Sequence, residues 1–291
     1  MISVITCSIK PESCKRMLKS IEETIGVEYE SIVIDNREKN EGICKVYNDG
    51  AMQANGDYLL FIHEDVEIKS NNWGSELIKF AEFNANCGVI GVAGGKSIGK
   101  NFSIWDNAGE KFINLYDLVG TDKDECDEND LIYSYSNPNN EEFAQVVCLD
   151  GVFLFTQKHI WEVNRFDEKN FKSFHFYDAD FTLSLAHNRK NYVYFGIKLY
   201  HFSKGKVNKA FCNSMLIFQL KWRKVLPYFL HGYKVTFKKE IKLARRNIFI
   251  YQKSGISIKD ALISILKVNG LFFLLLFIMN YPKILFKSYK K

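Results

Sequence analysis

The chain is poor in the features that mark secreted, membrane-spanning or disordered proteins. Its longest continuous apolar block, "LFFLLLFIM" (Leu271 to Met279), has nine residues, whereas a bilayer span needs roughly 20. Extending the block back to Ala261 brings in Lys267, Asn269 and Gly270. An anchor lying in the membrane interface is the leading reading of this block. A packing helix or oligomer contact comes second and a true span third. The seven cysteines are odd in number and scattered, with no CxxC pair. That argues against a disulfide framework or a zinc site and favours a reducing cytoplasm. The opening "MISVITCSIKPE" has no basic stretch leading into an apolar core, so no secretion signal is expected. No repeat or low-complexity tract is visible. With 47 % hydrophobic and 25 % charged residues, the chain has enough apolar surface to fold, which excludes wholesale disorder.

What is present is an ordered alternation. The 291 residues suffice for one large α/β domain plus an appendage. "ISVITCSI" reads as a strand and "PESCKRMLKSIEETI" as a helix that opens on Pro11 and carries Met17, Leu18, Ile21 and Ile25 on one face. "YESIVIDN" is a second strand, "NEGICKVYNDGAMQAN" a second helix, and "DYLLFIHEDVEI" a third strand. Such a series implies parallel pairing through right-handed crossovers. In parallel sheets ligands bind beyond the carboxyl ends of the strands, where Ser8, Asp35 and Asp65 sit. A helix follows over residues 72–86, then a strand "CGVIGVAGG", and later a strand "FAQVVCLDGVFLFTQ" with a helix from Lys158. The stretch from Thr121 to Glu142, with "TDKDECDEND", reads as a solvated acidic loop or a lid.

Charge is distributed unevenly. Residues 221–291 hold 16 Lys and Arg against two acids, while residues 1–220 hold 23 basic and 32 acidic residues. The acidic body predicts nothing specific; the basic tail predicts a phosphate-bearing surface, an anionic membrane first and nucleic acid second. Nucleic-acid binding lacks any supporting motif, and no nucleic-acid partner is expected.

Order and spacing of these pieces resemble glycosyltransferase family 2, with its GT-A fold, over roughly residues 2–226. The strand "SIVIDN" ends in Asp35, and "YNDGAMQANGDYLLFIHEDV" matches the family's Asn-x-Gly helix and the strand that usually ends in Asp-x-Asp. Here His63 takes the first of those positions and Asp65 the second. The chain thus resembles a smaller branch of the family, typified by a streptomycin-biosynthesis protein. Further on, "NRFDE" and "YDAD" (Tyr177 to Asp180) resemble the family's acceptor-side block.

The resemblance implies an α/β GT-A domain, residues 1–226, with a basic, partly apolar helical tail, residues 227–291. It implies an inverting, metal-dependent sugar transfer from a UDP- or dTDP-sugar to a hydroxyl of a glycan or lipid-linked acceptor in cell-surface polysaccharide synthesis. Asp65 would hold Mn2+ or Mg2+ to neutralise the leaving diphosphate, with His201 of "KLYHFSKGK" as a second ligand. His63 would contact the ribose or a metal-bound water. Asp35 would accept from the N3–H of a uracil or thymine. Ser8 and Pro11 would line the base pocket, and Asp150 and Gly151 would lie in the nucleotide-sugar cleft beside the acceptor. Asp178 would be the general base. Asp178 and Asp180 are two apart, so on a helix they point about 200° apart and one alone can face the cleft. Asp180 is then a helix N-terminal charge. Strand alternation turns Glu64 away from the cleft, and Trp105 and Trp161 read as core before sugar platform. Two rivals differ in class. A sugar-nucleotide pyrophosphorylase would carry a Gly-rich phosphate loop after the first strand, and "SIKPESCKR" has no glycine. A non-catalytic membrane-surface module on the same fold is favoured by loss of the first Asp and disfavoured by retention of Asp35, Asp65 and Asp178. The expected location is cytoplasmic and peripheral at the inner face of the membrane.

Overall fold

The alternation seen in the sequence builds a seven-stranded sheet. A computed structural model describes residues 1–104, 109–118, 128–203, 205 and 207–280. Its first elements are β1 (Ile2–Ser8), α1 (Pro11–Thr24), β2 (Tyr29–Asp35), α2 (Ile43–Gln53) and β3 (Tyr58–Ile62). β1 pairs in parallel with both β2 and β3, and Ser8 lies opposite Asp35 in register. Both parallel crossovers use helices, as the pattern required. Proline at the first position of α1 loses no helical bond, and Cys14, Met17 and Ile21 face the sheet.

The predicted third strand does not run through to Ile68. β3 stops at Ile62, residues 63–65 turn, and β4 (Val66–Ile68) joins a second sheet. The chain then forms α3 (Trp73–Phe83), β5 (Cys87–Gly91), β6 (Ala93–Gly95) and β7 (Ser97–Ile98). It continues through β8 (Lys111–Leu118), β9 (Leu131–Ser136), β10 (Phe143–Val146), β11 (Cys148–Leu149) and β12 (Phe153–Gln157). The large sheet has the order β10, then β13 (Lys190–Tyr194), β5, β12, β3, β1, β2, with β12 and β10 antiparallel to their neighbours. The smaller sheet runs β11, β6, β8, β14 (Leu199–His201), β4, with β9 beside β8. "CGVIGVAGG" and "FAQVVCLDGVFLFTQ", each expected as one strand, are likewise cut where the chain crosses between sheets. A glycine allows the tight crossing: a Cβ on Gly94 would lie 2.3 Å from the Cys148 carbonyl oxygen.

The acidic stretch needs correction. Residues 121–127 lie outside the described residues, but Glu128–Asp130 forms a 3-10 turn and Leu131 onward is β9. β9 pairs antiparallel with β8 from Leu118↔Leu131 to Ile113↔Ser136. Alternating "LIYSYS" gives it a strand pattern that the neighbouring acids masked. Trp105 also lies outside the described residues, whereas Trp161 is core, its indole N–H donating to Asn48 at 3.2 Å.

The remaining helices are α4 (Lys158–Val163), α5 (Tyr177–Ala186), α6 (Lys209–Trp222), α7 (Phe237–Lys253), α8 (Ile258–Asn269) and α9 (Leu271–Asn280), with β15 (Tyr228–Phe229) between α6 and α7 paired to β7. The tail helices pack onto the body. Ile241, Ala244 and Ile248 of α7 and Ile265 of α8 share one apolar cluster with Phe102 and Phe218. Buried Glu240 accepts from Lys100 N at 2.6 Å, Asn101 N at 3.0 Å and Asn101 Nδ2 at 2.8 Å. Asn247 donates to the Asn101 carbonyl at 3.1 Å. Among the described residues no helix is long and apolar enough to cross a membrane.

Candidate active site

Four strand ends and one helix start meet at one place. β3 delivers His63, and the turn before β4 delivers Asp65. β14 delivers His201, and register sets it opposite Val66 of β4 and Asp117 of β8. The β11–β12 turn carries Asp150 and Gly151, and α5 opens with Tyr177 and Asp178. Two backbone bonds tie the strand ends together: His63 N donates to Val152 O at 3.2 Å, and Phe202 N to Asp65 O at 2.8 Å.

His63, Asp65 and His201 can each offer one ligand atom, and those atoms lie within 4.8 Å of one another. His201 Nε2 is 3.5 Å from Asp65 Oδ1, and His201 Nδ1 is 3.2 Å from Asp117 Oδ1. Asp65 Oδ1 and His201 Nε2 are buried and have no hydrogen-bond partner. A buried carboxylate oxygen without a partner is costly, and the donor set fits a divalent cation, which would satisfy both atoms. Burial works against a charged His201, yet Asp117 and Asp65 outweigh it and raise its imidazole to about 10. Burial also works against an ionised Asp65, but His201 and then His63 hold it well below the ordinary carboxylate range. Carboxylates that hold a proton on His201 are equally suited to hold a cation in its place. Burial lowers His63 to about 4, Asp65 opposing and His201 adding, so its ring is neutral at pH 7.

Asp178 is half-buried beside the same cluster. Its Oδ2 accepts from Gly151 N at 3.1 Å. Burial, with the neighbouring Asp150 carboxylate second, raises it to about 7, the range suited to a general base at neutral pH. Asp150 Oδ1 accepts from Val152 N at 2.8 Å, which shapes the turn. Gly151 must be glycine there: a Cβ would meet the Tyr177 hydroxyl at 2.1 Å. That hydroxyl donates to the Gly151 carbonyl at 3.0 Å and lies 2.7 Å from His63 Nε2. One chain of contacts thus links the carboxylate turn to the imidazole cluster. The residue before α5, Phe176, has φ +67°, a left-handed conformation that costs a bulky residue about 1–2 kcal/mol. Its ring is buried against Phe211 and Phe218 at 5.3 and 5.5 Å, which holds the turn that aims Tyr177 and Asp178.

Asp180 faces the other way, as the helical spacing predicted. It accepts from Trp222 Nε1 at 2.8 Å and pairs with Lys221 at 2.7 Å, and Lys221 also reaches Asp167 at 2.6 Å. It fastens α5 to α6.

The nucleotide side is partly engaged by the protein itself. Asp35 is exposed at the end of β2, and Arg37 reaches both its oxygens, lowering it to about 2. Ser8 is buried and donates to Glu64 at 2.8 Å, so its hydroxyl proton is not offered to a base. Glu64 points away from the metal-suited cluster, as expected, but it does so within the turn after β3 and not by strand alternation. Its carboxylate also accepts from Ile9 N at 3.1 Å and Lys10 N at 2.9 Å, at the start of α1 that Pro11 opens.

Three residues escape sequence reasoning: Asp117, Tyr177 and Glu64. Asp117 sits in the strand-like "KFINLYDL" but meets His201 only through sheet register. Tyr177 opens the "YDAD" segment, but its contact with His63 joins residues 114 apart in sequence. Glu64 carried a visible signal, a carboxylate next to two cleft residues and facing the β1–α1 turn.

A mostly parallel sheet between helices, with a cation-suited cluster and a raised carboxylate beyond the strand ends, is the arrangement of a GT-A glycosyltransferase. The chain belongs to the glycosyltransferase-like family, whose model matches residues 3–219. Among solved structures it is similar to S. aureus TarS residues 1–349, with TM-score 0.53 and 15% identity, covering 92% of this chain and 81% of that one. It is similar to the mannosyltransferase PcManGT of Pyrobaculum calidifontis in complex with GDP-Man and Mn2+, with TM-score 0.51 and 9% identity, covering 99% and 81%. It is also similar to GalNAc-T7 with UDP, GalNAc and Mn2+, with TM-score 0.51 and 10% identity, covering 90% and 56%. At such identities the likeness is one of fold. A search of curated proteins gives no match.

Proposed function

We propose that this glycosyltransferase moves one sugar, with inversion, from a UDP- or dTDP-sugar to a hydroxyl of a glycan or lipid-linked acceptor in cell-surface polysaccharide synthesis. One observation carries the reading: a carboxyl raised to about 7, Asp178, is linked through Gly151 and Tyr177 to the cluster of His63, Asp65 and His201. Asp178 takes the proton of the acceptor hydroxyl as that oxygen attacks the anomeric carbon. The bond from that carbon to the nucleoside diphosphate breaks, and the electron pair leaves on the diphosphate. Asp65 and His201 would hold a divalent cation, Mn2+ or Mg2+, which when bound would supply the positive charge that this leaving group needs. Two fold neighbours carry Mn2+ beside UDP or GDP-Man, which supports this assignment. Asp35 receives the base N3–H alongside Arg37, and the Ser8–Pro11 turn, held by Glu64, forms the wall of the base pocket. Asp150 and Gly151 lie where donor sugar and acceptor meet.

We further place the catalytic unit in residues 1–226 and a membrane-facing unit in residues 227–291. Support comes from α9, where Phe272 is 76% and Met279 75% exposed with Leu271 and Leu275 beside them, and from the basic excess of the tail. An exposed apolar helix in a segment rich in Lys and Arg suits an anionic lipid surface, and with it a cytoplasmic, peripheral location at the inner face of the membrane.

The test is a panel of nucleotide-sugars in a thermal-shift assay, with and without Mn2+, followed by calorimetry. One donor should stabilise the protein only when the cation is present, and Asp65→Ala should lose that dependence. Equal UDP affinity in Asp65→Ala, in wild type and with EDTA would overturn the metal assignment.

A further inference from the structure

We infer that Phe174 is the platform on which the acceptor sugar stacks, and that it selects a pyranose ring over an open-chain alcohol as the bearer of the attacking hydroxyl. The inference rests on the transfer reading above for what binds. The platform itself follows from the segment between α4 and α5.

Three phenylalanines stand within six residues there: Phe171, Phe174 and Phe176. Phe171 and Phe176 are buried, whereas Phe174 is 50% exposed. A lone exposed apolar side chain is ordinary on a protein surface. Phe174 differs in its mounting and its neighbours. On one side the Ser173 carbonyl accepts from Ile43 N at 3.3 Å, and Ser173 Oγ lies 2.9 Å from Ser214 Oγ of α6. A Cβ on Gly42, just before α2, would lie 2.7 Å from the Lys172 carbonyl, so glycine lets the two backbones approach. On the other side His175 packs edge-on against Phe211 at 5.2 Å, and Phe176 packs against Phe211 and Phe218. Phe174 is thus presented from a segment fixed at both ends. A phenyl side chain with two torsions, held this way, loses little freedom when a ligand lies on it.

The neighbours give its place in the cleft. Ring centroids of Phe174 and His63 are 5.3 Å apart, and those of Phe174 and Tyr177 6.0 Å. Strand order here is β12, β3, β1, β2. The proposed base pocket lies at the ends of β1 and β2, at Ser8 and Asp35. Phe174 lies at the end of β3, by His63, and at the start of α5, where the Tyr177 hydroxyl donates to the Gly151 carbonyl in the turn before β12. It therefore belongs to the side of the cleft that holds Asp178 and not to the nucleotide side.

The chemistry of the ring names its ligand. An aromatic face carries negative charge density. A pyranose presents C–H groups, polarised positive by neighbouring oxygens, on its faces and hydroxyls around its rim. Such a ring lies on a phenyl face with its rim hydroxyls left for Asp178. An open-chain polyol has no comparable face.

The test uses the full chain with UDP and Mg2+. Methyl glycosides of glucose, galactose, mannose and N-acetylglucosamine are the probes, with glycerol as the open-chain comparison. Saturation-transfer NMR should show contact with the ring C–H protons of at least one glycoside and not with glycerol. That signal should fall about fivefold or more in Phe174→Ala and in Phe174→Leu, which keeps apolar bulk without a flat face. It should stay within about twofold in Phe174→Tyr and Phe174→Trp, which keep the face, and UDP affinity by calorimetry should stay within about twofold in all four variants. If wild type loaded with UDP contacts no glycoside, or the contact is undiminished in Phe174→Ala and Phe174→Leu, the platform is overturned while transfer from a nucleotide-sugar stands. If these two variants weaken UDP at unchanged Tm, the ring serves the nucleotide and the assignment is overturned. If wild type binds no UDP, the transfer reading fails together with this one.

Discussion

Asp178 and Asp180 leave the first turn of α5 in opposite directions: Asp178 accepts from Gly151 N at 3.1 Å under the cleft, and Asp180 accepts from Trp222 Nε1 at 2.8 Å against α6. Two carboxylates of one motif therefore have different surroundings, and under the proposed mechanism one acts in the chemistry while the other fastens α5 to α6. Asp178→Asn keeps size and removes the negative charge. Donor and cation binding should survive, while transfer falls by on the order of 10²–10⁴. Donor titration beside a single-turnover assay checks this. An undiminished mutant would move the base elsewhere.

The pH dependence follows from the same group. Asp178 must be ionised to accept a proton, and burial with Asp150 places its titration at about 7. The kcat/KM of wild type should accordingly rise as pH rises through about 7 and level off above it, because that quantity reports groups of the free enzyme. A profile already flat at pH 5 would contradict the assignment.

Asp180→Ala should behave differently. It leaves the indole N–H of Trp222 without its acceptor and removes one of two carboxylates from Lys221. Loss of a buried acceptor costs about 1–3 kcal/mol. The expected outcome is a lower Tm with single-turnover transfer retained in the folded fraction. Loss of transfer at unchanged Tm would reverse the two roles.

Glu64 is expected to act on nucleotide affinity without touching the chemistry. Its carboxylate gathers Ser8 Oγ, Ile9 N and Lys10 N. Glu64→Gln replaces one accepting oxygen with a donor that faces other donors. UDP affinity measured by calorimetry with Mn2+ should fall on the order of 10-fold, the equivalent of one lost charge-assisted bond. Unchanged affinity would detach the β1–α1 turn from the base pocket.

Because α7 and α8 share the core with the body, truncating the tail would expose apolar surface and confuse a membrane test. Substituting Phe272→Glu and Leu275→Glu avoids this, as both side chains are exposed. The double variant should keep the wild-type Tm and cease to sediment with anionic vesicles. Wild-type sedimentation should weaken with salt, since surface charge is screened over about 10 Å at 0.1 M. Equal sedimentation of both forms would end the membrane assignment.

Local periodicity determined a good deal by itself. Alternating strand and helix patterns gave the parallel β1, β2 and β3, and the rule for such sheets put Ser8, Asp35 and Asp65 at their carboxyl ends. The 3.6-residue period separated Asp178 from Asp180. Each of these depends on residues a few positions apart, which is the range over which backbone geometry fixes direction.

What the tertiary structure decided spans larger separations. The second sheet cuts three predicted strands, because each crosses from one layer to the other at a turn the apolar pattern does not mark. Register across β8 and β14 brings Asp117 to His201, and the start of α5 brings Tyr177 to His63 across 114 residues of sequence. A sequence shows that His63 and His201 are histidines. Only the sheet register and the turns around it, set by residues distant along the chain, bring both rings to Asp65.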